Sequence, residues 1–316
     1  MQSPLSVQKV ARPRLEGVVT VSPTRRLSFA EFGDPKGRPV IWLHGTPGSR
    51  RQIPLDARRY AEQHGIRLIG LDRPGIGAST PHRYARLLDF AADLAVVADA
   101  LRVDEMAVIG LSGGGPYTLA AAVGLPDRVL AAGVLGGVAP TTGPDAAAGG
   151  MMSLAALTAP LLAVADVPVG AMLSQVVRRG RPLATAALQF YAAANPKPDR
   201  EVLRRPEVKA MVLDDLLNGS RTQAIAPFAD IVVLSRDWGF RLGEVAVPVR
   251  WWHGDRDHVV PIGHGEHSVA LLPDAELIVW RGESHLASFG RGAEVLRGVE
   301  QLLDGPGPTL AEPPGA

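Results

Sequence analysis

The sequence predicts an α/β protein built on a mostly parallel sheet with helices on both faces. Three observations carry that prediction. Short apolar runs alternate with helix-length segments, the pattern of strands joined by crossover helices. Several runs, such as Met106-Ala107-Val108-Ile109, are continuous rather than alternating, as parallel strands are when neither side meets water. At 316 residues the chain is also long enough to bury about 75% of its unfolded surface with no disulfide or metal staple. Its 35 glycines and 27 prolines are spread among the apolar runs and read as tight turns.

Taken in order, strands are predicted at Gly17–Val21, Arg26–Phe32, Val40–Leu43, Arg67–Leu71, Met106–Gly110, Leu130–Leu135, Val249–Trp252 and Leu277–Trp280. Helices are predicted at Leu55–His64, Asp89–Leu101, Pro116–Val123, His264–Leu271 and Ala293–Leu303. The alternation stops between about Pro140 and Leu242, where the chain is first rich in Ala, Leu and Met and then more charged. This stretch reads as a helical insertion of about 100 residues, because so long a loop without secondary structure is improbable in a compact domain. The tail Asp304–Ala316 has no apolar period and is expected to be disordered.

Lys plus Arg number 33 and Asp plus Glu 32, a formal net charge of +1 that excludes bulk nucleic-acid binding. The absence of cysteine excludes a disulfide scaffold, a thiolate nucleophile and a Cys-based metal site. The first sixteen residues hold no apolar run of signal-peptide length. The most apolar stretch, Met151–Leu173, approaches membrane-span length but is interrupted by Pro160, Asp166, Pro168 and Gly170. A soluble, cytoplasmic protein with no membrane span is the expectation.

The most informative segment is Gly110-Leu111-Ser112-Gly113-Gly114, which follows one predicted strand and precedes a helical pattern. A serine hydroxyl is a poor nucleophile unless it is held clear of the backbone and given a base. Small residues two before and two after it permit a sharp strand-to-helix turn that lifts the hydroxyl out of the sheet. A dinucleotide loop is the rival reading, since Gly110, Ser112 and Gly115 fall at G-x-G-x-x-G spacing. Serine then replaces the glycine that lets the backbone approach a pyrophosphate, and the next strand region, Val129–Leu135, ends without the expected acid.

A general base is sought among eight histidines, at 44, 64, 82, 253, 258, 264, 267 and 285. His285 follows the last apolar strand, where catalytic groups of a parallel sheet collect. His64 and His82, at a helix end and in a loop, read as solvated, and His44 as a buried histidine satisfied by backbone. The imidazole needs a carboxylate to fix its tautomer. The loop His253-Gly254-Asp255-Arg256-Asp257-His258 offers Asp255 and Asp257. The same cluster is a poor metal site: H-x-H-x-D-H would need His at 255, and no second His-rich segment completes it. The turn His44-Gly45-Thr46-Pro47-Gly48 after a strand can leave amides free, and Thr46 with Gly113 is assigned as an oxyanion hole.

Five ordered segments make the chain resemble the α/β-hydrolase fold superfamily: HGTPG at 44–48, the D-x-x-G-x-G-x-S loop from Asp72 to Ser79, GLSGG at 110–114, GDRD at 254–257, and His285. The resemblance implies an eight-stranded, mostly parallel sheet with a helical cap inserted after strand 6. On that basis residues 1–139 and 243–303 form the core domain and 140–242 the cap. It also puts the family acid on Asp257, giving Ser112, Asp257 and His285 in the superfamily's chain order. HG-x-P-G resembles proline iminopeptidases and related esterases, epoxide hydrolases and C–C hydrolases; Thr46 stands where the iminopeptidases typically carry Gly. Serine at 112 departs from the aspartate of dehalogenases and epoxide hydrolases, and the lack of cysteine from dienelactone-type hydrolases.

In the cap, Met151, Met152, Leu154, Leu157, Leu161 and Leu162 could roof an apolar pocket, while Arg178, Arg179 and Arg181 read as a solvated face. The expected function is a cofactor-independent, metal-free serine hydrolase that cleaves a small carboxyl ester with an apolar part through an acyl-enzyme. Amide or C–C bond cleavage by the same three residues, and a low-turnover ligand receptor on the same fold, are the alternatives.

Overall fold

Alternating side chains along each strand decide which face of the sheet they cover, and here both faces are apolar. In the computed structural model, which describes residues 12–147, 149, 195–215 and 226–305, eight strands form one sheet. They are β1 (Leu15–Ser22), β2 (Arg25–Gly33), β3 (Arg38–Leu43), β4 (Ile66–Leu71), β5 (Met106–Leu111), β6 (Val129–Leu135), β7 (Val249–Gly254) and β8 (Ala275–Trp280). Their spatial order is β1-β2-β4-β3-β5-β6-β7-β8. β2 runs antiparallel to both β1 and β4, and every other pairing is parallel. The mostly parallel sheet predicted from the apolar runs is therefore present.

Val40 and Trp42 of β3, with Ala107, Ile109 and Leu111 of β5, belong to one core. Ile41 and Leu43, with Met106 and Val108, belong to the other. Trp251 and Trp252 split the same way, and both are almost fully buried. Each such side chain contributes about 1.5–3 kcal/mol by leaving water.

Helices α1 (Leu55–Gln63) and α8 (Gly292–Leu303) cover the first face through Leu55, Ala57, Tyr60, Val295, Leu296 and Val299. Helices α2 (Phe90–Ala100) and α3 (Gly114–Gly124) cover the second, together with Val269 of α7 (Gly263–Leu271). Between β6 and β7 the described residues form α4 (Lys197–Arg204), α5 (Pro206–Asp214) and α6 (Ala226–Leu234). Among the described residues no helix is long and apolar enough to cross a membrane. The apolar stretch Met151–Leu173, the arginines at 178, 179 and 181, and the tail beyond 305 lie outside the described residues.

Because β3 to β8 are mutually parallel, their carboxyl ends share one edge of the sheet. The segments after β3, β4, β5, β6, β7 and β8 emerge together there, where open α/β sheets bind ligands.

Candidate active site

Ser112 follows β5 directly and takes φ = 51°, in the left-handed region that side chains avoid. Its neighbours make this conformation possible. A Cβ at Gly110 would collide with the Gly114 carbonyl, and one at Gly114 would lie 2.5 Å from the Leu43 oxygen. The turn is pinned by the Ser112 amide donating to Leu135 O (2.8 Å) and the Gly115 amide donating to Ser112 O (2.9 Å). Backbone strain of this kind costs on the order of 1–3 kcal/mol and persists only where surrounding structure holds it. Its effect is to hold Oγ above the sheet edge at the start of α3.

That hydroxyl lies 3.1 Å from His285 Nε2, and His285 Nδ1 lies 2.7 Å from Asp257 Oδ2. Three residues distant in sequence, on the ends of β5, β7 and β8, thus meet in one hydrogen-bonded line. The other carboxylate oxygen of Asp257 accepts the amides of Val259 (2.8 Å) and Val260 (2.9 Å). Burial acts to raise the Asp257 pKa, but hydrogen bonds from His253 and His285 and the Val260 amide outweigh it and hold the carboxyl well below the usual carboxylate range. An ionised Asp257 keeps the proton on Nδ1, so Nε2 offers its lone pair to the serine hydroxyl. Gly136, after β6, takes φ = 55°, a conformation that favours glycine, and lies against the pair: a Cβ there would be in ordinary contact with Asp257 Oδ2 (3.5 Å) and the His285 ring (3.6 Å).

Asp255, the other acid in this loop, accepts the Gly282 amide at 2.7 Å and lies 3.9 Å from the Arg281 guanidinium. It bonds to the β8 loop. His253 is fully buried in β7; its Nδ1 accepts the Trp251 indole N–H (3.1 Å) and its Nε2 donates to Val260 O (2.8 Å). That tautomer leaves Nε2–H 3.5 Å from Asp257 Oδ2, so Asp257 sits between two imidazoles. His258 turns the other way, 3.1 Å from the Ser284 hydroxyl.

The turn after β3 packs against Ser112. A Cβ at Gly113 would fall 2.5 Å from Thr46 Oγ1, so the Thr46 and Gly113 backbones are neighbours. Among the described residues neither amide donates to a protein acceptor. Gln52 braces the turn, its Oε1 accepting the Gly45 amide (2.7 Å) and its Nε2 donating to Pro47 O (3.1 Å). His44 is fully buried, with Nδ1–H on Gly45 O (2.7 Å) and Nε2 accepting the Arg73 amide (3.3 Å). Burial first, and the Arg73 charge second, push its pKa well below the usual value, so the ring is neutral.

Three charged residues at this edge escape sequence reasoning. Arg73 is fully buried and forks onto Asp230 of α6 and onto the His44–Thr46 segment. Asp199, fully buried in α4, accepts the Leu286 amide (2.9 Å) and the Ser284 hydroxyl (3.0 Å), gripping the chain on either side of His285. Asp215, just after α5, accepts the Ser49 hydroxyl beside the β3 turn. None of the three leaves a usable trace in the sequence, whereas the partner of Arg73, Asp230, does, as the lone charge in the apolar helix Ala226–Leu234.

The chain belongs to the alpha/beta hydrolase fold family, whose pattern it matches over residues 38–291. Among curated proteins it is similar to a probable proline iminopeptidase of Leptolyngbya boryana, 35% identical over 121 residues, which are 37% of this chain and 37% of that protein. A proline iminopeptidase of Xylella fastidiosa is 34% identical over 121 residues, again 37% of each chain. The matched part thus spans little more than a third of the length of these relatives. Among solved structures an esterase from a Rhodococcus species superposes with TM-score 0.65 at 20% identity, covering 91% of this chain and 99% of that one. An esterase from Thermogutta terrifontis does so with TM-score 0.63 at 19% identity, covering 92% and 98%. At such identities the structural likeness speaks for the fold.

Proposed function

We propose that the protein cleaves a small carboxyl ester by nucleophilic catalysis, with Ser112 as nucleophile, His285 as general base and acid, and Asp257 as the carboxylate that orients the imidazole. The observation that carries this reading is the unbroken line Ser112 Oγ–His285–Asp257, at 3.1 and 2.7 Å. Ser112 Oγ attacks the carbonyl carbon while its proton passes to His285 Nε2. The oxyanion is held by the amides of Thr46 and Gly113, each contributing about 10²–10³ in rate. The tetrahedral intermediate collapses, the alcohol leaves with the proton from Nε2, and the acyl group stays on Ser112. Water, deprotonated by the same imidazole, then releases the acid and restores the hydroxyl.

In this reading residues 140–242 form the helical cap over a core made of 1–139 and 243–303, and the substrate is a small molecule with an apolar part that sits beneath it. No cofactor or metal takes part, and the protein works in the cytoplasm. The similarity to proline iminopeptidases favours a second reading, in which the same three residues cleave an N-terminal prolyl amide.

Turnover of p-nitrophenyl acetate by wild type and Ser112→Ala, with prolyl p-nitroanilide run in parallel, tests both. Loss of ester turnover in a folded Ser112→Ala protein is expected, and unchanged turnover refutes the assignment. A kcat/KM higher for the anilide than for the ester transfers the case to the peptidase reading. Labelling of Ser112 by a fluorophosphonate without turnover of either substrate would instead mark a receptor.

A further inference from the structure

We propose that Arg73, held by Asp230, is a positioning residue that aims and polarises the Gly45–Thr46 peptide and so sets the strength of the Thr46 amide as an oxyanion donor. This rests on the assignment of that amide made above. The ion pair is unusual for its place: Arg73 is 0% exposed and Asp230 4%, so both charges are removed from water. Desolvating a guanidinium is costly, and a buried pair is weak evidence of stabilisation for its own sake. What the pair touches gives it a purpose.

Asp230 accepts Arg73 Nε (2.9 Å) and Nη2 (2.6 Å), together with the Tyr117 hydroxyl (3.1 Å) and the Thr46 hydroxyl (2.9 Å). The Tyr117 ring lies under the guanidinium, 5.0 Å from its carbon. These contacts fix the plane of the fork. Its remaining donors fall on three consecutive residues: Nη1 donates to His44 O, and the second Nη2–H is shared between Gly45 O (3.0 Å) and Thr46 Oγ1 (2.8 Å). Asp72 anchors the start of the Arg73 loop, accepting the Arg50 amide (2.5 Å) and the Ser28 hydroxyl (2.7 Å).

Gly45 C=O and Thr46 N–H are opposite edges of one planar peptide. A carbonyl gripped by Arg73 from one side, and by His44 Nδ1–H at 2.7 Å, leaves the N–H no choice but the other side. A cation on that oxygen also draws electron density from the peptide and makes its N–H a stronger donor, as in any hydrogen-bonded chain. Asp230 supplies the counter-charge that lets the guanidinium remain there. Lysine cannot replace it fully, because an ammonium lacks the planar fork that spans neighbouring acceptors.

The test uses Arg73→Lys, Asp230→Asn and the apolar pair Arg73→Met with Asp230→Leu. The double variant leaves no unpaired buried charge and guards against a misfolded result. Each is checked for folding by circular dichroism. For each, kcat and KM are measured on p-nitrophenyl acetate, and Ki for a trifluoromethyl ketone, whose hemiketal carries an oxyanion at the reacting centre. In Arg73→Lys and the double variant kcat should fall about 10–100-fold, short of the 10²–10³ that deleting a donor costs. KM should stay within about twofold and Ki should rise by the same factor as kcat/KM falls. A merely structural role would leave Ki and kcat/KM unlinked. The proposal is overturned if folded Arg73→Lys or the folded double variant keeps its kcat, or if kcat falls while ketone affinity is unchanged. Ser112→Ala is the control for the underlying reading: full activity there defeats that reading, whereas an inactive Ser112→Ala beside active Arg73 variants defeats only this inference.

Discussion

Replacing Asp257 by Asn tests the proposed relay at its most constrained point. Oδ1 of Asp257 accepts two amides, from Val259 at 2.8 Å and Val260 at 2.9 Å. The amide oxygen of an Asn must occupy that position, because turning its NH2 there would set donor against donor twice, at about 1–3 kcal/mol for each unsatisfied group. The NH2 therefore takes the place of Oδ2 and faces His285 Nδ1, formerly 2.7 Å from a carboxylate oxygen. Nδ1 becomes the acceptor, the ring proton moves to Nε2, and Nε2–H now points at Ser112 Oγ. The serine then has no base. A wrong tautomer of this kind costs about 10⁴ in kcat with geometry intact. Stopped-flow or extended steady-state assays on p-nitrophenyl acetate should show that loss in kcat with KM nearly unchanged. Asp255→Asn, in the acid that bonds Gly282, should stay within about tenfold of wild type. A kcat for Asp257→Asn within tenfold of wild type refutes the reasoning, as does an equal loss at Asp255.

Two further predictions concern the supports of the site. Asp199→Ala strips the acceptor from the buried Leu286 amide and the Ser284 hydroxyl; urea unfolding should show a loss of about 1–3 kcal/mol, and kcat should fall more than KM changes. Asp215 has its pKa raised to about 7, chiefly by burial, with the Ser49 hydrogen bond opposing. Its folded-state pKa lies above the unfolded value, so its contribution to stability is fully present below about pH 4 and is lost as pH rises through about 7. Asp215→Asn should therefore gain on wild type as pH rises from 5 to 8, by about 2–3 kcal/mol over that range, read from urea midpoints. A constant difference across that range would contradict the sign.

The strands could be read from the sequence because both sheet faces are covered, which makes runs such as Met106–Ile109 continuous. The edges shifted by a residue or two: β8 begins at Ala275, two residues before the predicted Leu277, because Glu276 is exposed at the sheet margin. Ser112, Asp257 and His285 stood out as candidates because each follows a strand in a short loop with a recognisable pattern. Choosing Asp257 over Asp255 needed the family resemblance, since two acids two residues apart look alike until Gly282 and His285 claim one each. Arg73 stood inside the quoted D-x-x-G-x-G-x-S segment, yet an arginine beside an aspartate reads as surface charge. Asp199, in Lys-Pro-Asp-Arg-Glu, was hidden for the same reason. Burial of these charges arises only when α4 and α6 close over the sheet edge, a tertiary fact with no local periodicity.

The decisive measurement is mass spectrometry of the protein quenched during turnover of p-nitrophenyl acetate. One acetyl group, carried on the peptide containing Ser112 and lost on further incubation, is the expected result. Turnover with no acyl adduct, or with the acetyl on another side chain, would show that the hydroxyl held at 112 does not attack.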